Sequence, residues 1–125
     1  MRANFEYQTI PKENVKRPRV LGEIDLLVRY GSTLCVLELK TNNDLSGAAA
    51  QLSIHSKHQK YLLESLPPKF TKNIRQIVYF AIIYEAYLAY TIHRGQILPD
   101  SGISIDDFIA NFDELLESFN NPKKS

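Results

Sequence analysis

At 125 residues, with 44% hydrophobic and 23% charged residues, the chain has the make-up of one ordinary soluble domain with a modest core. A net charge of +1 excludes a globally basic nucleic-acid binder, so any such binding must come from a local patch. Cys35 is the single cysteine, which excludes a disulfide framework and, with no signal-peptide apolar run at residues 1–10, sets a reducing, cytoplasmic compartment as the expectation.

Residues 2–10 alternate loosely through Phe5, Tyr7 and Thr9, as an edge strand or extended arm would, and Pro11 breaks the pattern. Residues 12–19 (KENVKRPR) hold four basic side chains in eight, Lys12, Lys16, Arg17 and Arg19, with Pro18 preventing a regular helix. Two readings stay open for them: a solvated linker or a phosphate-contacting arm.

Residues 22–40 (GEIDLLVRYGSTLCVLELK) read by period as two strands joined by a tight turn at residues 30–33, with Gly31 free to take positive φ. Alternation puts Ile24, Leu26, Val28 and Tyr30 on one face of the first strand, and Glu23, Asp25, Leu27 and Arg29 on the other. On the second strand Cys35, Leu37 and Leu39 oppose Leu34, Val36, Glu38 and Lys40. Paired in register, the two strands converge three carboxylates and one ammonium on one patch, suited to binding a cation or to chemistry.

After a polar loop at residues 41–44, Ser46 is the expected cap of a helix running to about Leu66, stopped by Pro67 and Pro68. Gln51, His55, His58 and Leu62 share a stripe. Leu52, Leu63 and Leu66 favour the core side; Lys57 and Lys60 point outward. The two histidines read as partly exposed surface residues or phosphate contacts rather than zinc ligands. Residues 69–75 (KFTKNIR) form a second basic segment with Lys69, Lys72 and Arg75.

Residues 76–84 are a β-branched and aromatic run, expected as a central strand covered on both faces, and residues 85–92 read as a further strand or a helical turn, with the strand favoured. The sixteen-residue apolar stretch at 77–92 contains Glu85 and falls short of the ~20 residues a spanning helix needs, so it reads as core. Gly95 and residues 99–102 mark loops. From Ser104, as cap, a helix is expected to residue 120, with Phe108, Ile109, Phe112, Leu115, Leu116 and Phe119 as its apolar stripe. Its other face is acidic (Asp106, Asp113, Glu114, Glu117) and should point away from nucleic acid or towards a partner protein.

The G-E-I-D of residues 22–25, followed after twelve residues by the E-L-K of 38–40, resembles the PD-(D/E)XK nuclease superfamily, closest in local flavour to its archaeal Holliday-junction resolvase and RecB-like branches. Asp25 matches the motif's aspartate, with Ile24 where its proline would stand, and Glu38 and Lys40 match (D/E)-x-K. Gln51 sits where RecB-like members often carry a helical glutamine. The match covers residues 20–62. The resemblance implies an α/β domain with a mixed central sheet flanked by helices, a restriction-endonuclease-like core at 20–94 between an N-terminal arm (1–19) and a C-terminal helix (104–120). It implies a Mg2+- or Mn2+-dependent nuclease acting on DNA, branched or single-stranded, with RNA not excluded, working as a homodimer. Asp25, Glu38, the Leu39 carbonyl and Glu23 would hold the metal, with Lys40 and Gln51 completing the catalytic set. Substrate grip would fall to Lys12, Lys16, Arg17, Arg19, Lys57, Lys69, Lys72 and Arg75. Family members often carry a further glutamate before the catalytic strands, for which Glu6 and Glu13 are the candidates. Three alternatives remain at this point: a catalytically silent nuclease-like module that binds nucleic acid or a partner protein, a small α/β interaction domain, and an ordinary surface ion pair of Glu38 with Lys40.

Overall fold

The computed structural model describes residues 2–8 and 20–120. Its centre is a mixed sheet in the order β1-β2-β3-β4-β5-β6, with β7 also pairing β5. The strands are β1 (Arg2–Gln8), β2 (Val20–Tyr30), β3 (Thr33–Lys40), β4 (Gln76–Ile83), β5 (Leu88–His93), β6 (Gln96–Ile97) and β7 (Ile103–Ser104). The chain is therefore an α/β domain with helices on both faces of a mixed sheet, the fold class expected from its sequence.

β2 and β3 form the expected hairpin. Tyr30 pairs with Thr33 across a two-residue turn, and Gly31 takes φ +57° at the first turn position, where a side chain would be strained. β3 then runs parallel to β4 from Thr33↔Gln76 to Lys40↔Ile83. A parallel pair needs a crossover, and residues 41–75 supply it with α1 (Leu45–Lys57), α2 (Gln59–Ser65) and α3 (Pro68–Thr71). Two predicted helices are subdivided. The 46–66 helix breaks at His58 into α1 and α2, and its cap is Asp44, which accepts from the Gly47 N–H, rather than Ser46. The C-terminal helix breaks at Asn111 into α4 (Ile105–Ala110) and α5 (Phe112–Asn120), while Ser104 caps it as expected.

Two cores result. Leu34 and Val36 of β3 meet Ala48, Leu52 and Leu62 of the crossover helices on one face. Cys35 and Leu37 meet Ile105, Phe108 and Leu116 on the other. The Phe80 and Phe112 rings both sit edge-on to Phe108, centroids 5.1 and 5.2 Å away, which fastens the C-terminal helices to the sheet. The break at Asn111 leaves Ile109, a member of the predicted stripe, 68% exposed. β4 is covered on both faces, but the expected strands at 76–84 and 85–92 part at an exposed turn, 84–87, so β4 ends at Ile83 and β5 begins only at Leu88. Among the described residues no helix is long and apolar enough to cross a membrane.

Candidate active site

Strict alternation holds along β3 and fails once along β2. Leu26 and Val28 pack with the C-terminal helices, as their parity requires, and Leu27 packs with the crossover helices. Ile24, expected on the side of Leu26, joins Leu27 instead. The departure falls beside Asp25, where the β2–β3 ladder also stops. The last paired residues at this end are Leu26 and Leu37, while β3 keeps its pairing to β4 through Lys40.

In that fork the Asp25 side chain replaces the missing ladder partner: the Leu39 N–H donates to Asp25 Oδ2 at 2.9 Å. A strand residue directs its N–H and C=O to the same side, so the Leu39 carbonyl faces the fork as well. Glu38 lies within hydrogen-bonding reach of the Asp25 side chain and is buried, with Oε2 lacking any hydrogen-bond partner. Burial pushes its carboxyl up to about 7. The Asp25 charge, a hydrogen bond with the Asp25 side chain and the Glu23 charge push the same way, while Lys40 pulls against them. Lys40 Nζ stands 3.8 Å from Glu38 Oε1 and stays partly open to solvent. The ion pair thus exists, but Glu38 is not on an exposed sheet surface as the plain structural alternative requires.

Glu23 is exposed beside this pair, and Glu6 stands opposite it in the β1–β2 register. That places one of the two N-terminal glutamates on the strand flanking the site. Glu13 lies outside the described residues, as do Lys12, Lys16, Arg17 and Arg19. Gln51 is half-buried on α1, one turn before His55. His55 corrects the expectation of a surface residue. It is fully buried, hydrogen-bonded to the Glu23 backbone carbonyl and within reach of the Asp25 charge, and its burial pulls the imidazole down to about 4. Nothing in the spacing of the helix distinguishes it from His58, which is only half-buried beside Tyr61.

The predicted phosphate-binding side chains divide by position. Lys57 is exposed at the end of α1. Lys69, Lys72 and Arg75 are exposed too, but their segment is tied to the hairpin turn: Arg29 donates to the Lys69 carbonyl, and the Arg75 N–H to the Ser32 carbonyl. That end of β3 is five residues from Glu38, about 17 Å along the strand. The second basic segment therefore does not adjoin the carboxylates.

Among the described residues no three His, Cys, Asp or Glu side chains are gathered to hold one ion. The donor set at the fork is two carboxylates and a main-chain carbonyl. Magnesium accepts such a set, since it is often held by one or two carboxylates and completes its shell with water and substrate oxygens. The orphaned Glu38 oxygen is the feature a cation would satisfy. No protein-family model, curated protein or solved structure matches the chain.

Proposed function

We propose that the chain is a metal-dependent nuclease of the PD-(D/E)XK type, hydrolysing phosphodiester bonds of DNA through Asp25, Glu38 and Lys40. The observation that carries this reading is the buried, unsatisfied Glu38 oxygen held against Asp25 at the strand fork. Burying a carboxylate beside a second one is costly unless a cation offsets it. A fold with no use for the pair would place an apolar residue there.

Asp25, Glu38 and the Leu39 carbonyl would hold Mg2+ or Mn2+, with Glu23 at hand for metal-bound water or a second ion. Such an ion, when bound, supplies a Lewis acid for the phosphoryl oxygen and lowers the pKa of the attacking water. The chain's own groups do the rest. Asp25 is held in place by the Leu39 N–H. Lys40 has the carboxylates on one side and solvent on the other, so its ammonium orients the nucleophilic water or stabilises charge developing on the phosphate. Gln51 offers an amide to the substrate phosphate from α1. Grip on the backbone is electrostatic, salt-sensitive and largely independent of sequence. A chain of this size offers little surface to enclose a duplex, which favours a homodimer.

The test is incubation with supercoiled, single-stranded and branched DNA in Mg2+ or Mn2+, alongside Asp25→Ala, Glu38→Gln and Lys40→Ala. The expected result is metal-dependent cutting that each substitution lowers by about 10²-fold or more. Cutting that survives Asp25→Ala or Lys40→Ala would place the chemistry elsewhere. Binding without cutting would instead favour a catalytically silent module.

A further inference from the structure

The crossover helix α1 buries alanines and a leucine against the sheet, at Ala48, Ala49 and Leu52, and then one polar side chain, His55. An apolar residue would fill that position without asking for a hydrogen bond. Here the imidazole N–H is given to the Glu23 backbone carbonyl. That carbonyl lies two residues before Asp25, on the stretch of β2 where Ile24 departs from alternation and the β2–β3 ladder ends. The segment is therefore held by β1 on one side, through Phe5↔Ile24 and Glu6↔Glu23, but has no ladder to β3. Two other contacts hold the segment where the ladder has ended: the Leu39 N–H to Asp25, and the helix histidine to Glu23.

We propose that His55 is a positioning residue, which pins the Glu23 carbonyl to α1 and so fixes the path of β2 that keeps the Asp25 carboxylate on the Leu39 N–H and against Glu38. The inference rests on the reading of Asp25 and Glu38 as the catalytic pair for its consequence in catalysis. The positioning itself has a readout that involves neither metal nor DNA. Buried groups that orient metal ligands without touching the ion commonly govern affinity by about 10- to 100-fold.

Two substitutions separate the hydrogen bond from simple packing. His55→Leu keeps apolar bulk and removes the donor; His55→Gln keeps a donor in similar volume. The primary measurement is amide hydrogen exchange at Leu39, whose N–H reports directly on where the Asp25 carboxylate stands. His55→Leu should speed that exchange by about ten-fold or more relative to amides elsewhere in β3. His55→Gln should restore most of the protection. In parallel, Mn2+ affinity followed by titration calorimetry should weaken by about 10- to 100-fold in His55→Leu and recover in His55→Gln.

Unchanged Leu39 exchange in a folded His55→Leu protein overturns the proposal. If wild type binds no Mn2+ but His55→Leu still loses Leu39 protection, the nuclease reading fails and the positioning role stands. If His55→Leu does not fold, the wild-type protein decides. Its His55 ring N–H must be protected from solvent and give a nuclear Overhauser contact to Glu23; a ring proton exchanging freely with water overturns the proposal.

Discussion

Glu38 links the chemistry of the site to the stability of the fold. Its carboxyl is raised from an ordinary 4.5 to about 7, with burial as the leading cause, so the folded chain keeps a proton that the unfolded chain releases. The sign follows: as pH rises from about 4.5 to about 7 the metal-free protein loses stability, and above that window the loss is constant. The size is roughly 3 kcal/mol. Glu38→Gln removes the effect, so in urea titrations the variant should gain on wild type between pH 4 and pH 8, whereas equal slopes would refute the assignment. His55 works in the opposite direction. Its imidazole is lowered from 6.5 to about 4, so its contribution is complete above 6.5 and is lost as pH falls towards 4. The two slopes overlap, which is why the difference between variant and wild type is the quantity to measure. Cys35, whose thiol burial pushes up to about 12, stays protonated and inert.

The nearness of Asp25 and Glu38 was legible in the sequence, because period-two alternation with the two strands of the hairpin in register puts both on one face. His55 was not. It shares a stripe with Gln51 and His58, and only the packing of α1 against the sheet decides which of them is buried. The departure of Ile24 from alternation was equally hidden, since it belongs to the fork rather than to any local preference.

Among the elements, the hairpin and the central strand follow their patterns, and the helices are where local signals mislead. Both Asp44 and Ser46 are good cap residues. Asp44 takes the role by accepting from the Gly47 N–H at 3.0 Å, and a Cβ built on Gly47 would lie 2.1 Å from the Asp44 Oδ2 atom. Gly47→Ala must therefore displace the capping carboxylate, a loss of about 1 kcal/mol that alanine's better helix propensity offsets by a similar amount, so it should cost less than Asp44→Ala. In the Asp44→Ala background the clash is gone, so Gly47→Ala should there stabilise by about 0.5–1 kcal/mol in urea titrations; a further loss would show that the glycine acts by another route. The breaks at His58 and Asn111 have no proline or glycine to announce them. At Asn111 the chain turns while the Asn111 N–H still bonds the Asp107 carbonyl, so the apolar stripe of α4 and α5 is two short stripes and Ile109 falls between them.

For the whole molecule, one sheet separates two cores that share no helix. The side facing α1 and α2 carries the candidate site; on the side facing α4 and α5 the Phe80, Phe108 and Phe112 rings pack edge to edge. Phe108→Ala should cost about 3–5 kcal/mol, read as a lowered urea midpoint. Its effect should be confined to stability, leaving Leu39 exchange relative to the rest of β3 unchanged; altered protection there would mean that the two faces are coupled. The overall architecture was legible through the resemblance carried by residues 20–62, whereas the parallel pairing of β3 with β4 across the crossover was not read from the pattern. The place of residues 69–75 at the hairpin turn was not, since it depends on the register of β4 against β3.

The carboxylate pair belongs to a hairpin whose members are near neighbours in the chain, while the β3–β4 partnership joins Thr33 to Gln76 across the whole crossover. Loop closure makes the first assembly entropically easy and the second slow. On that order of assembly, electrostatic conflict between Asp25 and Glu38 would be met early, before the long-range half of the sheet has gathered to resist it. If the proposed site takes a divalent ion, adding that ion during refolding would relieve the conflict at the stage when the chain is least able to bear it.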